Sequence, residues 1–366
     1  MSAPRPAGGV PAEDLDHVLA RTRKHWPAAR GRRIFVTGAT GFFGRWLLET
    51  FAHANRELAL GAELVALKLP HERLDGEAAY LGTLAGVVFV DGDVRTLSAE
   101  ELMARRRDSA RPRFDYGIHA AIQVDAATYE RDPLVTLESA LLGTQRTLEL
   151  LRASGARRVL LASSGAVYGR QPAGLDLVPE DFAGGPDPAL ASSAYAEGKR
   201  ASETLCAAFA RRHGLEAVIA RGFSFVGPHL PLDRHFAIGN FLRDALRGGP
   251  IHIQGDGTPL RSYLYAADLA VWLWTLLFAG TPGRTYNVGS DAPISIADVA
   301  RKVAAACSPP PAVEIHGSPT PGREPERYLP SIERARTELG LAPEIDLAEA
   351  IARTLRWHRT ARSGAG

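Results

Sequence analysis

Short runs of consecutive apolar residues recur through the first half of the chain, and stretches patterned at helical spacing separate them. Ile34-Phe-Val36, Leu64-Val-Ala-Leu67, Val87-Val-Phe-Val90, Asp115-Tyr-Gly-Ile-His-Ala-Ala121 and Arg158-Val-Leu-Leu-Ala162 are these runs. Such short, apolar and often β-branched segments predict strands buried on both faces, as parallel sheets require. Between them the apolar positions move to a helical period, at Leu134, Leu137, Leu141, Leu148 and Leu151 within Pro133–Ser154, and again over Arg45–Phe51. Strand and helix alternating at this pitch predict a doubly wound parallel sheet with right-handed crossovers. Near the N-terminus, Leu15, Val18, Leu19 and Thr22 share one face, predicting an amphipathic helix from Ala12 to Trp26. Past Ser163 the texture changes. Residues 171–190, 228–265 and 308–330 are dense in Gly and Pro, a helix is expected over Ala194–His213, a strand over Glu216–Ala220, and a last helix near Leu347–Trp357.

The junction between the first strand and the helix after it carries the most chemistry. Thr37-Gly-Ala-Thr-Gly-Phe-Phe-Gly44 places a glycine turn after a buried strand and directly before a helix. Gly38 permits the tight turn, Gly41 lets the backbone approach a pyrophosphate, and Gly44 lets helix and strand pack closely. The helix N-terminus offers unpaired N–H groups and partial positive charge to phosphate. The expected fold class is therefore α/β, a Rossmann-type doubly wound sheet with a smaller C-terminal substrate-binding lobe. The expected divisions are a tail and short helix over 1–30, a dinucleotide-binding domain over 31–225, and a lobe over 226–360 interleaved with it.

Composition narrows the partners. With 366 residues and 45% hydrophobic residues there is ample material for a core. A formal charge of +2, from 43 basic and 41 acidic residues, implies no nucleic-acid partner. No apolar run is long enough for a membrane span, Leu269–Phe278 included, and the N-terminus lacks a continuous apolar signal core. Cys206 and Cys307 lie in helical segments and suggest a reducing compartment, so a cytoplasmic protein is expected. No metal-ligand spacing stands out.

Two further motifs bear on reactivity. Tyr195-Ala-Glu-Gly-Lys199 sets a phenol and an ammonium four residues apart, on one face of a helix. A neighbouring cation lowers a tyrosine pKa from about 10 toward working pH, which makes a general base. Taken alone, the pair is as readily a solvated helix face. Ser163-Ser-Gly-Ala-Val-Tyr-Gly169 follows the fifth strand, at the sheet edge where open α/β sheets bind ligands. A serine hydroxyl there can hydrogen-bond an oxygen undergoing oxidation or reduction, though serines in this position are often only turn residues.

In this order the motifs resemble the extended short-chain dehydrogenase/reductase family of nucleotide-sugar epimerases, dehydratases and reductases. The likeness extends through Asp91-Gly-Asp-Val94, His119-Ala-Ala121, Gly143-Thr144, Arg221–Pro228, Asp256–Tyr263 and Asn287-Val-Gly289. It implies that Gly38, Gly41, Phe42, Phe43 and Gly44 line the pyrophosphate of NAD or NADP. It further implies that Asp93 and Val94 meet the adenine, and Ala120 and Ala121 the nicotinamide side. Tyr195, Lys199 and Ser164 are the implied catalytic set, with Lys199 also holding the nicotinamide ribose. Ser164, Ser224, Asn240, Arg261 and Arg323 are the implied substrate contacts, the arginines gripping phosphate with their planar forks.

The chain departs from the family pattern in four places. Lys68 stands where NAD-specific members place an acid, which favours NADP. Gly165 and Ala166 replace the acids that dehydratases and decarboxylases keep after the catalytic serine or threonine, leaving only Glu180 or Asp181 as substitutes. Ser224 and Ala140 each replace an asparagine. The resemblance with these departures implies a C4 epimerase acting through a 4-keto intermediate. A 4-ketoreductase, a 4,6-dehydratase and a non-catalytic cofactor-sensing module stand as alternatives. A homodimer built on Pro133–Ser154 and Ala194–His213 is also implied.

Overall fold

The computed structural model describes residues 8–106, 113–121, 132–234 and 236–363. Residues 1–7 of the expected N-terminal tail lie outside them. A seven-stranded sheet is built from β1 (Arg33–Thr37), β2 (Glu63–Lys68), β3 (Val87–Asp91), β4 (Tyr116–His119), β5 (Arg158–Ser164), β6 (Glu216–Gly222) and β7 (Thr285–Val288). Its order is β7-β6-β5-β4-β1-β2-β3, and the pairs among β1 to β5 are parallel. The strand order reverses between β1 and β4, so the topological switch point lies beyond their C-terminal ends. The five helices α1 (Ala12–Thr22), α2 (Phe42–Glu57), α3 (Ala99–Arg106), α4 (Pro133–Ala153) and α5 (Ala194–His213) accompany the sheet.

The chain divides into two compact units. The first comprises Met1–Val167, Pro186–Arg221 and Ala270–Tyr286. One of its cores contains Phe35, Val65, Leu67, Phe114, Leu148, Leu151, Val159, Leu161 and Ile219, all nearly inaccessible. A second cluster is aromatic: Trp26 lies 4.7 Å from Trp274 and 6.3 Å from Phe51, ring centre to ring centre. The indole N–H groups are paired, that of Trp274 to Thr50 and that of Trp26 to Thr22. The N-terminal segment is thus an integral part of this unit. Its backbone is fastened as well, since Val10 N donates to the buried Glu49 carboxylate, which also accepts from Tyr80 Oη.

Among the boundaries that differ from the sequence expectation are those of the first helix and the fourth strand. The first helix stops at Thr22, and Trp26 opens a separate 3-10 turn over Trp26–Ala29. Pro27 contributes to the break, because it has no backbone N–H to donate to the carbonyl four residues back. The fourth strand is shorter than Asp115–Ala121. It is assigned over Tyr116–His119, although backbone bonds continue past both ends, Asp115 N to Arg33 O and Ala120 N to Thr37 O; the Asp115 carboxylate also accepts from Arg33 N and Arg32.

The second unit comprises Tyr168–Gly185, Gly222–Leu269 and Asn287–Gly366. Its strands are only two or three residues long, arranged as small separate sheets. Side-chain staples compensate. Asn287 is fully buried, accepts from Tyr168 Oη at 2.7 Å, and donates through Nδ2 to the carbonyls of Val178 and Ser331. Among the described residues no helix is long and apolar enough to cross a membrane.

Candidate active site

The glycine turn shows why three positions exclude a side chain or leave room for a ligand. Gly38 has φ +73°, and a Cβ there would lie 2.7 Å from the backbone of Ala120 and Ala121. A Cβ at Gly44 would fall 2.3 Å from the carbonyl oxygens of Gly38 and Ala39. Neither neighbour is a flexible side chain, so only glycine fits. Gly41 differs: its nearest obstacle is Gly38 O at 3.5 Å, and it caps α2 with no side chain on the helix N-terminus. The space over Gly41 and the uncapped N–H groups make a cradle that suits a pyrophosphate. Phe42 and Phe43 start α2 half-buried, their ring centres 5.9 Å apart.

At the C-terminal end of β2, the Lys68 ammonium is paired with the Asp91 carboxylate, its register partner on β3, and donates to Glu72 O at 2.7 Å. Asp93 is gripped by Arg95, Nη2 to Oδ2 at 2.6 Å. That hydrogen bond holds the Asp93 carboxyl below the usual carboxylate range. Val94 is half-buried against the core.

Ala120 and Ala121 follow β4 and are fixed by a chain of hydrogen bonds. Ala121 N donates to Thr37 Oγ1, which lies 2.7 Å from His119 Nδ1. His119 Nε2 meets Thr144 Oγ1 at 3.2 Å, and Thr144 donates to Ser202 on α5. Burial first, then the charge of Lys199, push the His119 pKa down to about 3, so the ring is neutral. Its Nδ1 faces the hydroxyls of Thr37 and Thr147, and its Nε2 that of Thr144. The chain couples the loop after β4 to the helix carrying Tyr195 and Lys199.

Lys199 is buried on α5, and its ammonium donates to Ala162 O on β5 at 2.5 Å. Desolvation lowers its pKa to about 8, opposed by the negative charge of Glu203. Tyr195 lies one turn earlier and is half-buried. Ser164 ends β5, 8% exposed, and accepts from Ala166 N at 3.2 Å. Gly165 and Ala166 form the start of a 3-10 turn and present no proton-transferring side chain.

Glu203, not singled out in the sequence, is the hub behind this set. It accepts from Ser163 Oγ at 2.5 Å and from Arg221 Nη2 at 2.6 Å. Its signal was its spacing, four residues past Lys199 and eight past Tyr195 on one helical face. Gly198 is a second such residue, since a Cβ there would lie 2.7 Å from Ala140 Cβ on α4. Cys206, on the same helix, has its thiol pushed up to about 12 by burial and is inert.

The remaining substrate candidates belong to the second unit. Arg261 Nη2 pairs with Glu326 at 2.7 Å, its guanidinium 5.9 Å from the Tyr328 ring centre. Asn240 Oδ1 accepts from Arg243 at 3.1 Å. Ser224 is half-buried, and its carbonyl accepts from Leu264 N. Arg323 is exposed, with its backbone N–H on Thr320 O. Glu180 is bound within this unit, accepting from Asn287 N at 3.0 Å with Arg334 beside it at 3.9 Å.

The model of the NAD dependent epimerase/dehydratase family matches residues 34–289. UDP-glucuronic acid decarboxylase 6 of Arabidopsis thaliana is 30% identical over 325 residues, which cover 87% of this chain and 86% of that protein. A UDP-glucose 4-epimerase of Thermus thermophilus, solved in complex with NAD, is 28% identical with a TM-score of 0.72, over 89% of this chain and 99% of that one. A dTDP-glucose 4,6-dehydratase of Streptomyces venezuelae, solved with NAD, is 26% identical with a TM-score of 0.72, over 91% and 98%.

Proposed function

The chain belongs to the NAD dependent epimerase/dehydratase family, and we propose that within it this protein is a nucleotide-sugar epimerase that inverts C4. One observation carries the choice of reaction. After Ser164 the chain has Gly165 and Ala166, which can neither give nor take a proton, and the one buried acid offered as a substitute, Glu180, is already bound to Asn287 N with Arg334 beside it. Dehydration and decarboxylation call for an acid or base there; alcohol oxidation and reduction do not.

The residues fit a nicotinamide dinucleotide, with the Gly38–Gly44 cradle for pyrophosphate and Ala120–Ala121 toward the nicotinamide. When bound, the nicotinamide supplies the acceptor and donor of hydride at C4. Tyr195 takes the O4 proton as the 4-ketone forms and returns it when C4 is reduced from the other face. Ser164 hydrogen-bonds O4 throughout, and Lys199 keeps a positive charge beside the phenol. Arg261 and Arg323 serve the substrate's diphosphate, with Ser224 and Asn240 on the sugar.

The protein is read as NAD(P)-dependent, with Lys68 the residue that sets the preference, and as a cytoplasmic homodimer. Incubation with UDP-glucose, UDP-glucuronate and dTDP-glucose, without added cofactor, decides the reaction. Formation of the C4 isomer with no net change in nicotinamide is expected. Carbon dioxide release or a 4-keto-6-deoxy product would overturn it, as would stoichiometric NADPH oxidation in a separate incubation of a nucleotide-linked 4-keto sugar with NADPH. The ketoreductase is the second reading, favoured by Lys68.

A further inference from the structure

We propose that His252, Glu314 and His316, on the second unit, bind a divalent transition-metal cation of the zinc class. Strands Ile251–Ile253 and Val313–Ile315 pair in parallel, with His252 directly opposite Glu314. Side chains alternate along a strand, so Glu314 and the residue two further on, His316, leave from the same side. Ile251 and Ile253 are buried while His252 is exposed, which marks this side as the outer one. The ladder continues through His316 N to Ile253 O at 2.9 Å and holds His316 in line.

The separations suit a metal. His252 Nδ1 lies 3.2 Å from His316 Nε2 and 3.3 Å from Glu314 Oε2, and the three atoms all lie within 4.8 Å of one another. Bonds of about 2.0–2.1 Å in a tetrahedron place neighbouring ligand atoms about 3.3 Å apart. The imidazole planes lie 19° apart with centres 5.4 Å apart, and the nitrogens 3.2 Å from each other bring both rings to one spot. A single proton on His252 Nδ1 can serve only one of its two neighbours, whereas a cation satisfies all three groups together.

The backbone is firm at this point. A Cβ on Gly317 would lie 2.6 Å from Gly255 C and 2.7 Å from Asp256 N, so the chain after His316 is pressed flat against the end of the first strand. Two imidazoles with one carboxylate select zinc and its neighbours over magnesium or calcium, which prefer oxygen ligands throughout. Half-exposed side chains leave an entry path and an open coordination position for water. The bound cation clasps the two strands where the segment leading to Arg323 begins, and its role is structural.

Titration of tag-free, EDTA-dialysed protein with zinc chloride by calorimetry tests the site. One equivalent is expected to bind with a Kd of about 10 µM or tighter, and MgCl2 to give no heat. His252→Ala and His316→Ala should each weaken zinc at least tenfold, with Glu314→Gln weakening it less. Zinc should also raise the thermal midpoint of the parent protein and not that of His252→Ala. Absence of saturable zinc binding up to about 100 µM overturns the site, as does unchanged affinity in a folded variant carrying both His252→Ala and His316→Ala, which would place any zinc elsewhere.

Discussion

At the scale of single residues, Lys199 sets the expected pH behaviour. Burial lowers its pKa to about 8, below the unfolded value of about 10.4. Activity that needs the cation should therefore fall as pH rises through about 8, approaching a tenfold loss per unit, read from kcat against pH. The stability sign runs the other way. Between about 8 and 10.4 the unfolded chain binds more protons at this residue, so its contribution to stability rises with pH across that window. Lys68 gives a second expectation. Its charge is already matched by Asp91, and a 2′-phosphate must compete with that carboxylate. Asp91→Asn is expected to improve kcat/KM for NADP over NAD by on the order of tenfold, and Lys68→Ala to worsen it. Equal ratios in parent and both variants would remove Lys68 from cofactor choice. Lys68 was legible as a cation at a strand end; Asp91 as its partner was not, because the pairing depends on the register between β2 and β3.

At the scale of elements, the turn into α2 separates packing from binding. Gly44→Ala pushes a Cβ to 2.3 Å from backbone oxygens and should destabilise the protein by about 1–3 kcal/mol in urea unfolding. Gly41→Ala meets only ordinary contact and should cost under about 1 kcal/mol while weakening dinucleotide binding. The opposite ranking would contradict the roles given to the two glycines. The seam between α5 and β5 rests on Lys199 with Ala162 and on Glu203 with Ser163. Glu203→Gln removes a charge that raises the Lys199 pKa, so the alkaline limb of the kcat profile should begin at lower pH. A limb that does not move would leave Glu203 a purely structural residue. The long elements of the first unit were readable because each carries a clear period. Those of the second were not: strands such as Leu260–Arg261 and Ile294–Ser295 are two residues long, too short to show alternation. Their partners come from register and from staples such as Asn287.

At the scale of the whole molecule, the sequence suggested a lobe over 226–360 interleaved with the dinucleotide-binding domain but not the crossing points; Ala270–Tyr286 belongs to the first unit and Tyr168–Gly185 to the second. Apolar runs reveal that a segment is buried, not what buries it; the run Leu269–Phe278 gives no sign that Trp274 packs on Trp26. The same reasoning applies outward to α4. Leu134 is 70% exposed and Leu142 42%, on a helix that buries Leu148, Leu150 and Leu151 and leaves Leu137 and Leu141 half-buried. They stand eight residues apart, with Leu137 and Leu141 near the same face. An exposed apolar stripe of this kind is normally covered, and a helix pair α4–α5 from each of two copies would cover it in a four-helix contact of about 800 Å² per partner. Light scattering at micromolar concentration is therefore expected to give a dimer. The double variant Leu134→Glu, Leu142→Glu should shift it to monomer with an unchanged circular dichroism spectrum, since both side chains are solvent-facing within one copy. A parent protein that is monomeric, or a double variant that stays dimeric, would mean that α4 is not the contact.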